Sequence, residues 1–332
     1  MRAAFLTLLI ILLSPIPMIP SQTPYSPMFD GENAFSYLTA QCEFGPRPPG
    51  SENISLVRGY ISDILSAQGW VVFLQNFTYQ EVECANIVAV WPERNTSTLI
   101  LGAHYDTRPR ADQESDPTNR MMPVLGANDA ASGVAVLLEL ARILPEESRP
   151  FIEIVLFDAE DSGNINGWNW IVGSTYYVDQ MSSSKREDVT GMILLDMVGD
   201  INLRIPREGY STRSLQDAIW IIASELGHDD IFLDTPGASI LDDHRPFLLA
   251  GIPAVDLIHT PFPWTWHTLS DTPEQCSSDS LQAVGRVVEA FIVETTGVET
   301  TFTTEPPPDY IPIILIVVPI LLLVLVVFLK RK

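Results

Sequence analysis

Carboxylates and imidazoles recur in this chain wherever a short apolar run ends. They fall in His104-Tyr105-Asp106, Asn128-Asp129, Asp158-Ala159-Glu160-Asp161, Leu194-Leu195-Asp196 and Asp242-Asp243-His244, and in Trp266-His267-Thr268. Each segment alone says little. An Asp where a helix starts usually caps it, a lone His is usually a satisfied polar residue, and an acidic pair is usually a solvated turn. Together they are costly, because clustered carboxylates and imidazoles need a cation to offset desolvation and repulsion. Nitrogen and oxygen donors without thiolate suit zinc, and three protein ligands leave a catalytic zinc one open position. The three cysteines, Cys42, Cys84 and Cys276, form no CxxC pair, so a thiolate site is not expected. One disulfide with one thiol left over is compatible with the count, in a pairing left open.

The elements that must position these residues alternate in type. Strand-like runs cover residues 97–104, 151–157, 191–198 and 252–258. Helical spacing covers 56–68, 130–144, 214–226, 246–250 and 280–295. Alternation of this kind implies an α/β domain with a mostly parallel central sheet sandwiched by helices. In such sheets sites form at the carboxyl ends of strands, which is where the polar residue types cluster. No internal repeat is evident.

The order His-x-Asp, Asn-Asp-x-Ala-Ser-Gly, acidic pair, Leu-Asp-Met-x-Gly and late His resembles metallopeptidase family 28. That family holds zinc aminopeptidases and glutaminyl cyclases. The resemblance runs from about Glu43 to Glu294 and includes Gly45-Pro46-Arg47-Pro48-Pro49-Gly50-Ser51. Carried over motif by motif, it implies Asp129, Asp161 and His267 as zinc ligands. His104 and Asp196 match the ligands of a second zinc, as in the aminopeptidases, and Asp106 would orient His104 from behind. Glu160 would transfer the proton, with Asp196 in support. One departure stands out: the family usually has Glu where this chain has Asp161, one methylene shorter.

Two segments resemble the cyclase branch. Asp242-Asp243-His244-Arg245-Pro246-Phe247-Leu248 is similar to its DDHxPFL, and Pro261-Phe262-Pro263-Trp264-Thr265-Trp266-His267-Thr268 to its PFPxxWHT. The match implies Trp266 as a wall of a glutamine pocket and Asp242 as hydrogen-bond partner of the reacting nitrogen. Trp168 and Trp170 are candidates for the opposite wall. Asn128-Asp129-Ala130-Ala131-Ser132-Gly133 reads more like the aminopeptidases, and the cysteine pair of animal cyclases is replaced by Ala103 and Val134. The resemblance therefore implies a zinc-dependent cyclotransferase acting on N-terminal Gln of peptides and proteins. A zinc aminopeptidase is the alternative, with two zincs rather than one. A third reading is an inactive, anchored peptide-binding domain, which requires that Asp161 has abolished zinc binding.

With 42 acidic against 19 basic residues, the net charge is −23. That charge repels phosphate backbones and argues against nucleic-acid binding. It serves solubility and would attract cationic peptide N-termini. The ends read as targeting elements: a signal peptide over 1–21, a Thr/Pro-rich stalk over 299–310, an apolar transmembrane helix over 311–329 and a basic tail over 330–332. A catalytic domain over 22–298 would then lie outside the cytoplasm on a single-pass anchor. Three glycosylation-type triplets, at Asn53, Asn76 and Asn95, agree with that placement.

Overall fold

The structure, a computed structural model, describes residues 25–297. The expected signal peptide, stalk, membrane span and basic tail lie outside the described residues. Among the described residues no helix is long and apolar enough to cross a membrane.

Two helices open the domain, α1 (Gly31–Glu43) and α2 (Glu52–Ala67). Each begins where a short polar side chain satisfies free amides: Asp30 accepts from Glu32 and Asn33, and Ser51 accepts from Ile54. An antiparallel pair follows, β1 (Val71–Tyr79) and β2 (Val82–Val90), then β3 (Thr98–His104). A wide helical turn over Ala127–Ser132 leads into α3 (Gly133–Ile143) and then β4 (Ile152–Phe157). Next come α4 (Val172–Asp179), α5 (Ser183–Asp188) and β5 (Val189–Asp196). A small parallel pair, β6 (Ile205–Arg207) and β7 (Phe232–Pro236), brackets α6 (Arg213–Glu225). The chain closes with α7 (His244–Leu249), β8 (Ala254–Ile258) and α8 (Ser278–Thr296).

The main sheet runs β1-β2-β4-β3-β5-β8. Strands β4, β3, β5 and β8 are parallel, and β2 joins β4 antiparallel. The expected architecture is therefore found, with an antiparallel extension of two strands that the sequence pattern does not announce. β1 is an edge strand with little apolar alternation, whereas β2 is buried almost throughout and so carries no period-two signal.

Both faces of the sheet are covered, in the two-residue period of a pleated strand. Ile152, Ile154 and Leu156 of β4 join the larger core, with α1, α2, α3, α6 and α8. Val155 and Phe157 point to the opposite face, against Tyr177 and Val178 of α4 and Phe247 of α7. Each fully buried Leu, Ile or Phe contributes roughly 1.5–3 kcal/mol. Glu153 sits in the same buried strand. Lys185 Nζ at 2.6 Å and Arg94 compensate its charge, and the Tyr177 hydroxyl donates a hydrogen bond to it.

This topology positions the site. β3 lies between β4 and β5, so the chain leaves β3 to one side and crosses to the other, and the crevice at such a reversal is where α/β sheets place ligands. Arg47, from the Gly-Pro-Arg-Pro-Pro-Gly segment, lies beneath this crevice and is wholly buried. Its fork donates to the carbonyls of Tyr105 (2.9 Å), Leu125 (2.8 Å) and Gly126 (2.9 Å), tying the end of β3 to the turn that carries Asp129. Removing it takes the side-chain donor from all three carbonyls, of which Gly126 O alone keeps another partner, the Ala131 amide at 3.2 Å. Arg47→Met should therefore cost about 3 kcal/mol or more of unfolding free energy by denaturant titration. Arg47→Lys should restore only part of that, because an ammonium cannot span the three acceptors. A loss below 1 kcal/mol in Arg47→Met would show that the fork is not the tie.

Candidate metal centre and active site

The Asp129 backbone decides that this carboxylate is not a cap. Its φ of −111° and ψ of 82° break the helical turn in which it sits, so the side chain leaves the helix axis. Gly126, at φ 68°, makes this bend feasible. A Cβ there would stand 2.4 Å from both the Asp129 carbonyl oxygen and Thr107 Cγ2. Asp271 accepts the amides of Asn128 (2.7 Å) and Asp129 (3.1 Å). The rest of the Asn-Asp-x-Ala-Ser-Gly segment grips the end of β5. Gly199 N donates to Asn128 Oδ1 at 2.8 Å and Val198 N to Ser132 Oγ at 3.0 Å, while Gly133 has no room for a Cβ against the Leu195 carbonyl. Asp129 and Asp196 are thereby held at fixed separation by neighbours of both.

The acidic pair is placed by Asp106, which accepts the amides of Glu160 (3.0 Å) and Asp161 (3.1 Å) through its two oxygens. Its Oδ1 also lies 3.5 Å from His104 Nδ1, in accord with the orienting role expected of it. Ala159, Met197 and His267 all adopt positive φ, at 61°, 47° and 56°. Backbone strain of this kind persists where the surroundings over-determine it, and here each strained residue is, or adjoins, a residue expected in the site.

Two clusters of potential ligands share Asp129: Asp129, Asp161 and His267, and His104, Asp129 and Asp196. In the first, His267 Nε2 lies 3.1 Å from Asp161 Oδ1 and 3.6 Å from Asp129 Oδ2. In the second, His104 Nε2 lies 3.1 Å from Asp129 Oδ1 and 3.3 Å from Asp196 Oδ1. Donors around a tetrahedral zinc with bonds of ~2.0–2.2 Å stand roughly 3.3 Å apart, so both sets fit. Asp161 Oδ2, buried with no hydrogen-bond partner, is the kind of orphan a cation would satisfy. The shorter Asp161 still reaches the others.

Electrostatics follow from burial. Desolvation pushes the Glu160 carboxyl well above its ordinary range, His104 opposes, and Asp161, Asp242 and Asp243 add to the rise. Burial and Asp196 raise Asp242 to about 8. A dication beside these groups would draw them back toward ionisation.

A cavity of about 270 Å³ opens over the first cluster. Asp129, Glu160, Asp161, Asp196, Asp242 and His267 supply its polar floor; Trp170, Trp266, Phe262, Ile258, Ile240 and Leu241 are among its walls. Trp266 stacks on His267, with ring centroids 3.8 Å apart. The structure thus brings together ten of the residues singled out from the sequence, counting Trp170 and Asp106, and leaves one outside. Trp168 does not line the cavity. It packs edge-on against Tyr79 of β1, because Asn164, Asn166 and Gly167 turn the loop so that Trp170, not Trp168, faces inward. The cysteines are all buried and free, so no disulfide forms among the described residues. His244 sits behind the cavity, between Glu208 (3.3 Å) and Asp256 (3.6 Å).

Three residues of the site are not evident from the sequence. Asp112 lies 3.5 Å from His267 Nδ1, Asp271 holds the Asp129 turn, and Arg108 lies beside Asp161. Only their partners across the fold mark them.

The model of peptidase family M28 matches residues 86–292, and the chain belongs to that family. The glutaminyl-peptide cyclotransferase-like protein of Bos taurus is 26% identical over 286 residues, covering 76% of this chain and 72% of its own. The crystal structure of Porphyromonas gingivalis glutaminyl cyclase superposes with a TM-score of 0.77 at 30% identity, covering 81% of this chain and all of its own. A Zn-dependent exopeptidase from Parabacteroides distasonis is similar at TM-score 0.75 and 30% identity, over 81% of this chain and 99% of its own.

The ligand set has a pH signature. Burial would lower the His267 imidazolium, but Asp161, Asp112 and Asp129 outweigh it and hold it at about 9 in the metal-free protein. Below that pH a metal must displace a proton, so apparent zinc affinity should rise about tenfold per pH unit from pH 6 to 8. Competition with a chelator of known affinity measures this. His267→Ala should bind zinc more weakly and lose the slope. A flat profile in the unsubstituted protein would remove His267 from the ligand set.

Proposed function

We propose that this chain is a zinc-dependent glutaminyl-peptide cyclotransferase, converting N-terminal Gln of peptides to pyroglutamate with release of ammonia. The observation that carries the reading is one small, aromatic-walled cavity in which Glu160 and Asp242 share a floor with Asp129, Asp161 and His267. The names of the relatives support the same activity.

In this reaction the α-amine of the substrate attacks its own side-chain carbonyl carbon. A C–N bond forms, the amide C–N bond breaks, and one proton passes from the attacking nitrogen to the departing one. A zinc ion held by Asp129, Asp161 and His267 supplies Lewis-acid polarisation of that carbonyl when bound. Glu160 is the proton carrier: it accepts from the amine and returns the proton to the leaving nitrogen. Its place in a buried acidic cluster suits a group that must hold a proton part of the time. Asp242 accepts a hydrogen bond from the reacting nitrogen, and Asp196 supports Glu160. Trp266, Phe262 and Trp170 form the walls around the short glutamine side chain and keep out the water that would hydrolyse rather than cyclise.

The second reading is a zinc aminopeptidase, with which one feature of the site is compatible. His104, Asp129 and Asp196 form a ligand set able to take a second zinc. The inactive-binder reading is weakened because Asp161 reaches its companions. We further propose that the catalytic domain faces away from the cytoplasm, targeted by the signal segment 1–21 and anchored by 311–329. Asn76 and Asn95, both exposed, are then available for glycosylation.

The test offers the zinc-loaded protein a Gln-initiated and a Leu-initiated peptide, read by mass spectrometry. Loss of ammonia from the first above its spontaneous rate, with the second intact, is expected; release of free leucine would make the protein an aminopeptidase. Glu160→Gln should keep the fold and zinc while losing at least about 100-fold in turnover. Asp242→Ala should abolish most cyclisation, and full activity in that variant would remove Asp242 from the reaction.

A further inference from the structure

Arg108 is a buried cation, 3% exposed, on the loop that leaves β3. Every nitrogen of its fork is used. Nη1 donates to the carbonyls of Asp161 and Gly163, each at 3.0 Å, and lies 3.5 Å from Asp161 Oδ1. Nε and Nη2 reach the two oxygens of Asp112, at 3.2 and 2.7 Å. Asp112 Oδ1 in turn stands 3.5 Å from His267 Nδ1, the nitrogen that faces away from Asp129 and Asp161.

The same guanidinium lies over the Trp170 ring, 4.6 Å from its centroid. The indole also lies against the bare Cα of Gly163, where a Cβ would come within 2.0 Å of it. Trp170 is therefore held between the cation and a backbone segment that the cation itself pins. Its ring lies near-parallel to His267, 13° from coplanar at 6.1 Å.

We propose that Arg108 is a positioning residue that joins the Asp161–His267 edge of the metal centre and the Trp170 wall of the pocket into one unit, so that metal affinity and substrate recognition depend on a single side chain. Fork geometry is the reason. Arg presents donors in a fixed plane that serves two carbonyls and a carboxylate while its face stacks on an indole. Lys at this position would keep the charge and lose both features. The charge alone works against a metal, since a cation 3.5 Å from a ligand oxygen repels a second cation. What Arg108 offers zinc is placement of the ligands, the role of outer partners whose loss usually costs 10–100-fold in metal affinity.

The inference rests on the cyclase reading only for its substrate arm; zinc and cobalt binding need no turnover. The full-length chain is prepared with Arg108→Lys, Arg108→Met, Asp112→Asn and Trp170→Leu. Zinc affinity is read by chelator competition, coordination by the visible absorption of the cobalt-substituted protein, and KM and kcat on a Gln-initiated peptide at saturating zinc. Arg108→Lys and Arg108→Met are each expected to weaken zinc binding 10–100-fold and to alter the cobalt spectrum. At saturating zinc both should raise KM more than they lower kcat. Asp112→Asn should weaken zinc without moving KM, and Trp170→Leu should raise KM without weakening zinc. Each should add little to Arg108→Lys, because it removes a contact already lost. If Arg108→Lys matches the unsubstituted protein in zinc affinity and KM, charge rather than the fork suffices and the proposal fails. It also fails if the effects of Arg108→Lys and Asp112→Asn on zinc simply add. An absence of cyclisation by the unsubstituted protein would overturn the proposed reaction, while the zinc and cobalt results would still decide the role of Arg108. Should Arg108→Met not fold, Arg108→Lys reads the same quantities.

Discussion

Mutual repulsion among buried carboxylates at the strand ends is the constraint around which this domain is organised. Asp106, Asp129, Glu160, Asp161, Asp196, Asp242 and Asp243 are all buried within one region, with two imidazoles, His104 and His267, among them. Left alone, such a group would protonate or drive the loops apart. The fold holds it by making backbone amides and fixed cations do structural service. Asp106 receives two amides from the acidic pair, Asp271 receives two from the Asp129 turn, Arg47 is anchored on three carbonyls, and Arg108 on two carbonyls and the Asp112 carboxylate. What remains of the unfavourable charge is available to a metal.

That economy explains why the site lies where it does. The parallel strands β3, β4 and β5 end on the same edge, so the loops that follow them meet there. Each delivers a small number of acids, and the loop after β8 lays Trp266 and His267 across them. Apolar walls and a charged floor are complementary here. Aromatic rings exclude water, and exclusion of water strengthens every electrostatic interaction on the floor. A site that must move one proton between two nitrogens gains from both.

Much of this was legible before the fold was known, and the exceptions have physical causes. Asp129, Asp161 and His267 could be singled out because an ion-binding set must consist of particular residue types in chain segments that end strands. The choice of tryptophan was not legible. Trp168 and Trp170 are two residues apart, and which faces the pocket depends on a loop turned by Asn164, Asn166 and Gly167. Asp112, Asp271 and Arg108 are equally illegible, since an acid or base in a polar loop has the signature of solvated surface until its partner is placed opposite. The strands β1 and β2 are not legible in the sequence because an exposed edge strand and one buried almost throughout both lack the alternation that marks a half-buried strand.

The sequence by itself determined the α/β class, the order of the strand-ending motifs and the residue types able to hold a cation. These are local properties: periodicity, turn chemistry and donor identity do not require knowledge of what lies across the sheet. Tertiary structure decided which of these residues meet, that Asp129 is shared between two ligand sets, and that one arginine ties the metal edge to the pocket wall. Those are relations between separate segments, 53 residues apart for Arg108 with Asp161 and 92 for His104 with Asp196. Only the strand order and the close approach of loops at one sheet edge bring them within hydrogen-bond distance.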